Sequence, residues 1–262
     1  MNEVLQVKNL NYKALFKDLN LTIYENTINL ITGSNNCGKT TFIKILSGLI
    51  DSEKSVFYQK KDISKLKSKE LATTFSQVIF TNNFNFYFLN LDQEILFYLD
   101  KTDLSVSEKK MKYRHLVKLF DLEMFLYEDI NRLDYYTKIK ILVLLATISS
   151  PKILFLDNVL DNLEEKEGLE IINTLKKIGG MTVIISSSGL NLALSCDYIH
   201  VLSKSSFILS DTTMEVLKED SLLNKIGLTL PFMVDLSLKL KYYDLIDDVE
   251  LDMNRMVDKL WK

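Results

Sequence analysis

The stretch GSNNCGKTT, residues 33–41, constrains this chain more than any other. Gly33 is followed by four residues and then by Gly38, Lys39 and Thr40, between an apolar run at 28–32 and a run of helical period. Glycines at those two places let the backbone curl until its N–H groups face one centre, and the helix that follows adds the positive end of its dipole. Such a loop cradles phosphate oxygens through the backbone of Gly33, Ser34, Asn35, Asn36, Cys37, Gly38, Lys39, Thr40 and Thr41. Lys39 is then expected to reach the β- and γ-phosphates of a nucleotide, and the Thr40 hydroxyl to ligate Mg²⁺. Cys37 reads as a small residue of the loop.

The rest of the chain agrees with an α/β fold. Short apolar runs recur at 28–33, 77–81, 152–157 and 181–186, continuous enough for strands buried on both faces of a parallel sheet. Helical patterns lie between them. Phe42, Ile45, Leu46 and Leu49 share one face after Gly38, and Ile171, Ile172, Leu175 and Ile178 share another before Gly179-Gly180 ends the pattern. Residues from about 90 to 150 break the alternation and predict a helical insertion, with Ser107 as cap of a helix over 107–120. The domain reading is therefore an α/β nucleotide-binding domain over 1–217 and a helical extension over 218–262, where Met253, Met256, Val257 and Leu260 line one helix face.

Composition excludes several other classes. A formal net charge of −3 gives no electrostatic reason for nucleic acid binding. Two cysteines, Cys37 and Cys196, with His115 and His200, form no zinc or disulfide spacing. The first ten residues carry no export pattern, and the greasiest run, 139–148, is short and broken by Lys140. A cytosolic polypeptide is expected, touching a membrane only through partners.

Asp157 ends the apolar run 152–157 and is the natural carboxylate on the metal side, acting through water on the Mg²⁺ held by Thr40. With these residues in place, the chain resembles an ABC-transporter ATPase subunit along nearly its whole length: a P-loop NTPase fold of the ABC type. Tyr12 in NLNYKALFKDLNLTI falls where that family keeps an aromatic against adenine. KDISKLKSKELATTFSQVIFT is similar to the segment entering its Q-loop, SPKILFLD to its Walker B strand, and TVIISSSGLNLALSCDYIHVL to the strand and helix of its histidine switch. The tail is similar to that of energy-coupling-factor transporter ATPases, the first of the two paralogous subunits above all. This resemblance implies ATP and Mg²⁺ as ligands. It also implies a paralogous ATPase subunit, a membrane scaffold subunit and a separate substrate-binding membrane protein as partners, at the cytoplasmic face of the cell membrane.

The departures from the family pattern fall on its catalytic positions. Asn158 stands in place of the glutamate after Walker B, Ser188 in place of the switch histidine, and Thr81 in place of the Q-loop glutamine, with Gln77 and Gln93 nearby in sequence. The signature loop, usually Leu-Ser-Gly-Gly-Gln, is Leu133-Asp134-Tyr135-Tyr136-Thr137. An amide orients water but takes no proton, and loss of general-base help costs ~10²–10⁴ in rate. Asp134 is expected to bring negative charge toward a phosphate held by the opposite subunit, and Tyr135 and Tyr136 to obstruct close backbone approach. Phe84, Phe86, Tyr87 and Phe88 are expected to line the groove that receives a membrane partner. Two functions follow from the resemblance: an importer ATPase subunit for a vitamin or other micronutrient with impaired hydrolysis, or a subunit that binds nucleotide without cleaving it. A soluble protein acting on ribosomes or DNA is disfavoured by the acidic balance and the tail.

Overall fold

The computed structural model describes residues 2–81 and 84–261. Its centre is a six-stranded sheet in the order β10-β9-β3-β8-β7-β6. The strands are β3 (Ile28–Thr32), β6 (Phe75–Ile79), β7 (Ile153–Asp157), β8 (Thr182–Ser186), β9 (Tyr198–Ser203) and β10 (Ser206–Thr212). All pairs are parallel except β9 with β10. β3, β7 and β8 are buried at every residue, as continuous apolar runs demand when both faces of a sheet are covered. Alternate side chains feed opposite cores: Leu154 and Leu156 of β7 point to one, Ile153 and Phe155 to the other.

The second core lies under a smaller antiparallel sheet, β2-β1-β4-β5, built from β1 (Glu3–Tyr12), β2 (Phe16–Tyr24), β4 (Val56–Tyr58) and β5 (Lys61–Asp62). Helix α1 (Lys39–Leu46) contributes Phe42, Ile43, Ile45 and Leu46 to that core. The helix stops at Ser47, and Gly48 adopts φ +76. Leu49, expected on its apolar face, lies beyond the last turn and is exposed.

After α2 (Ser68–Thr74) and β6, the chain is helical until β7: α3 (Leu91–Asp100), α4 (Val106–Leu119) and α5 (Tyr135–Thr147). The cap of α4 is Ser105, two residues before the expected Ser107. Its side chain accepts from Glu108 N–H, while the Glu108 carboxylate accepts from Ser105 N–H. That reciprocal pair satisfies two helix-end donors at once, and Ser105, three residues before Glu108, has the spacing it needs. The strand expected at 77–81 runs instead over 75–79, where Phe75 pairs with Ile153 and Ile79 with Asp157.

Helix α6 (Glu165–Ile178) ends at Gly179, φ +62, as its sequence predicts. Then follow α7 (Thr213–Leu217), α8 (Asp220–Lys225), α9 (Phe232–Tyr242) and α10 (Met253–Leu260). Leu223, Leu228 and Val234 of this tail join the core beneath the central sheet. In α10 only Met256 is buried; Met253, Val257 and Leu260 stay largely exposed. No helix among the described residues is long and apolar enough to cross a membrane.

Candidate phosphate-binding site

The sheet topology brings the site together. β8 lies between β3 and β7, with Ile31 and Asp157 both level with Ser186. The loop after β3 and the acid ending β7 therefore emerge at one edge, the carboxyl ends of parallel strands, where open α/β sheets bind ligands. A cavity of about 590 Å³ opens there, lined among others by Asn35, Gly38, Lys39, Thr40, Asn158 and Ser188. Asn36 and Thr41 complete the loop's share of it.

The loop's glycines are required by geometry. Gly33 has φ +149, and a Cβ there would stand 2.0 Å from the Leu202 carbonyl oxygen. Gly38 has φ +104 and faces the Leu15 side chain. Ser34 is exposed, whereas Cys37 is buried behind the loop with its N–H donated to Ser34 O at 3.3 Å. Lys39 is 6% exposed, and its ammonium donates to Gly33 O at 2.8 Å and Ser34 O at 3.1 Å. The loop thus holds its own cation at its mouth, where an incoming phosphate would exchange for those carbonyls.

The Thr40 hydroxyl donates to Asp157 Oδ1 at 3.1 Å and accepts from Asn158 Nδ2 at 3.2 Å. Ser186 Oγ also donates to Asp157 Oδ1, at 2.5 Å. A hydroxyl beside a buried carboxylate fits a hard cation that keeps waters and phosphate oxygens for its remaining positions. Mg²⁺ is such an ion, and Thr40 and Asp157 would hold it. Among the described residues no cluster of three His, Cys, Asp or Glu side chains offers a cage made of protein alone.

Asn158 adopts φ +53, a conformation that asparagine tolerates better than glutamate. Its N–H is held by Ser186 Oγ at 3.0 Å. Ser188 N–H and Oγ both donate to Asp161 Oδ2, at 2.9 and 3.0 Å. Asp161, Leu15 and Ser186 were not singled out in the sequence. Asp161 sits four residues beyond Asp157 in DNVLD, a spacing that could have drawn notice; Ser186 gives no local signal, because its partners come from another strand.

Other expected residues lie elsewhere. Tyr12 is half-buried at the end of β1, 6.5 Å from the Phe16 ring, and Leu15 rather than Tyr12 lines the cavity. Thr81 lines a second cavity of about 670 Å³ together with Gln77, Phe84 and Tyr98. Neither Gln77 nor Gln93 reaches the first cavity; Gln93 is exposed on α3. Of the four aromatic residues at 84–88, Phe84 lines that second cavity and Phe86 packs on the core beside it, rings 6.4 Å apart. Tyr87 and Phe88 are exposed over Phe97.

Over the segment 133–137 the side chains are engaged within the chain itself. Leu133 is half-buried against the core. Asp134 caps α5: its carboxylate accepts Thr137 N–H at 2.9 Å and Thr137 Oγ1 at 2.8 Å. Burial pushes the Asp134 carboxyl up, but the hydrogen bonds from Thr137 and nearby backbone outweigh it and hold the group below the usual carboxylate range. Tyr135 and Tyr136 point inward instead of standing before the helix end. Tyr135 packs edge-on against Phe84 at 5.5 Å, and Lys140 stands 5.3 Å from the Tyr136 ring. Burial first, and the Glu170 carboxylate second, push the Tyr136 hydroxyl up.

A strand-loop-helix phosphate cradle beside a strand-end carboxylate, with a helical insertion between them, defines a nucleotide-binding domain of the ABC class. The ABC transporter family model matches residues 16–161, more than half of the chain, and the chain belongs to that family. It is 26% identical over 98% of its length to the energy-coupling factor transporter ATP-binding protein EcfA of Aster yellows witches'-broom phytoplasma (strain AYWB), covering 96% of that protein. It is 26% identical over 99% of its length to EcfA1 of Latilactobacillus sakei subsp. sakei (strain 23K), covering 97%. Among solved structures, cbiO1 from Clostridium perfringens, part of the ABC transporter complex cbiONQ, superposes with a TM-score of 0.77 at 22% identity, over 90% of this chain and 99% of that one. That likeness establishes the fold.

Proposed function

We propose that this chain is the ATP-binding subunit of an importer of the energy-coupling-factor type, with impaired hydrolysis. The observation that carries the reading is that Lys39 and Thr40 line one cavity at the carboxyl edge of the sheet, with the buried Asp157 carboxylate hydrogen-bonded directly behind Thr40. ATP enters with its phosphates against the loop 33–41, Lys39 exchanging carbonyls for phosphate oxygens and Thr40 and Asp157 holding Mg²⁺, Asp157 through water. The end-to-end match to two energy-coupling-factor subunits, tail included, supports the assembly. The partners are then a paralogous ATPase subunit and a membrane scaffold, with a separate membrane protein selecting a vitamin or other micronutrient. The chain works at the cytoplasmic face of the cell membrane and reaches the membrane through those partners. Residues 218–262 serve as the dimerisation segment, with the exposed Met253, Val257 and Leu260 as its contact face.

A second reading is favoured by the state of the catalytic positions. Asn158 spends its amide on Thr40, and Asp134 occupies the first N–H groups of α5 with its own carboxylate. Both fit a subunit that binds ATP to stabilise the assembly and leaves turnover to its partner.

Calorimetry with ATP and Mg²⁺ tests the shared claim. Micromolar binding that disappears in Lys39→Ala supports it, and no heat from the folded chain would end both readings. Co-purification with a membrane scaffold tests the assembly. Steady phosphate release that Lys39→Ala abolishes favours the ATPase subunit, and tight binding without release favours the silent one.

A further inference from the structure

We propose that Asp161 accepts the proton of the attacking water in this cavity, with Ser188 as its positioning residue. The inference rests on the ATP-binding reading above and names the route by which any turnover proceeds.

Three acceptors compete for that role. Asn158 is an amide and takes no proton at neutral pH. Asp157 is 1% exposed, and one of its oxygens already receives both Thr40 and Ser186, which commits it to the metal side. Asp161 remains. It lines the same cavity as Lys39 and Asn158, and its carboxylate is exposed.

The contact with Ser188 gives the group a fixed orientation. Oδ2 receives the Ser188 N–H at 2.9 Å and the hydroxyl at 3.0 Å. Two donors on one oxygen set the plane of the carboxylate, and among the described residues Oδ1 receives none. A carboxylate with one oxygen anchored and the other free is the arrangement a general base needs. The loop after β7 and the loop after β8 are joined by this contact, so the residue in the histidine-switch place still acts at the phosphate end, through Asp161.

The step balances without a co-reactant. A water oxygen bonds to the γ-phosphorus while its proton passes to Asp161 Oδ1. The bond from phosphorus to the β–γ bridging oxygen breaks, and its electron pair leaves with ADP. The proton returns to solvent as phosphate departs.

The test uses the full chain, with ATP affinity from calorimetry and single-turnover hydrolysis measured for Asp161→Asn, Asp161→Ala and Ser188→Ala. Expected are affinities within about threefold of the parent, a fall in rate of ~10²-fold for Asp161→Asn, and a smaller fall for Ser188→Ala. Added formate restores part of the rate of Asp161→Ala by supplying the missing carboxylate, which a loop staple alone would not allow. An unchanged rate in Asp161→Asn overturns the proposal, as does a loss in Asp161→Ala that formate leaves untouched. A parent chain that binds ATP yet never cleaves it overturns the proposal while sparing the binding reading. A parent that binds no ATP removes both.

Discussion

The Asn158 side chain donates to the Thr40 hydroxyl at 3.2 Å, so the residue that follows the strand-end Asp157 is tied to the first helix of the phosphate loop. Thr40 in turn donates to Asp157. The three residues form one short chain of hydrogen bonds, closed by Ser186 on Asp157 and on the Asn158 N–H. A neutral amide suits this arrangement: it donates to Thr40 where a carboxylate would face Asp157 with like charge.

Asn158→Glu therefore lowers stability before it can raise activity. The backbone at φ +53 penalises glutamate by about 1 kcal/mol relative to asparagine, and repulsion from Asp157 adds to it. Thermal unfolding in EDTA should show a lower melting temperature than the parent, with Mg²⁺ and ATP restoring more of it than in the parent. Equal melting in EDTA would contradict the account of the hydrogen-bond chain.

The two loop glycines should respond unequally to alanine. At Gly33 the new Cβ meets the Leu202 backbone oxygen at 2.0 Å, and neither strand β3 nor β9 can retreat without breaking sheet pairing. At Gly38 it meets the end of the Leu15 side chain at 3.0 Å, which can rotate away. Gly33→Ala should cost at least ~3 kcal/mol in chemical denaturation and Gly38→Ala about 1–2 kcal/mol, chiefly backbone strain. A reversed order would refute the steric argument.

What the sequence disclosed follows from how local each signal is. The phosphate loop was legible because glycine spacing is a backbone property, and Asp157 because it ends an apolar run. Asp161 and Ser188 were harder to pair, since only the register of β7 against β8 brings their loops together. The antiparallel sheet is not legible in the sequence because the alternation of β1 is broken by register shifts between Val7 and Leu10 and between Leu10 and Tyr12, with Asn9 at φ +46. The inward turn of Tyr135 and Tyr136 depends on the core beneath α5. No pair of adjacent aromatic residues states its own direction.

Asp134 should be worth more as a cap than as a charge. Asp134→Ala strips Thr137 N–H of its acceptor and should destabilise by about 1 kcal/mol, while Asp134→Ser keeps a capping oxygen and should cost a few tenths. Denaturant midpoints of the two variants, compared at one m-value, check this. Equal losses would mean the carboxylate charge, not the cap, holds the start of α5.

His200 predicts the pH dependence. It lies 2% exposed on β9, with Nε2 3.2 Å from Asn29 Oδ1 and Nδ1 2.8 Å from Ser210 Oγ, stacked on Tyr198 and edge-on to Phe207. No charged partner is among these contacts, and burial holds its pKa down to about 4 from 6.5. Between those two values the unfolded chain binds the proton and the folded chain does not. Stability contributed by this site is therefore complete above about pH 7 and falls as pH drops toward 4, by about 3 kcal/mol in all. Urea unfolding between pH 4.5 and 7.5 should show that slope in the parent and a flatter one in His200→Gln, whatever the variant's absolute stability. Parallel slopes in the two proteins would mean that the ring takes up its proton inside the fold at little cost.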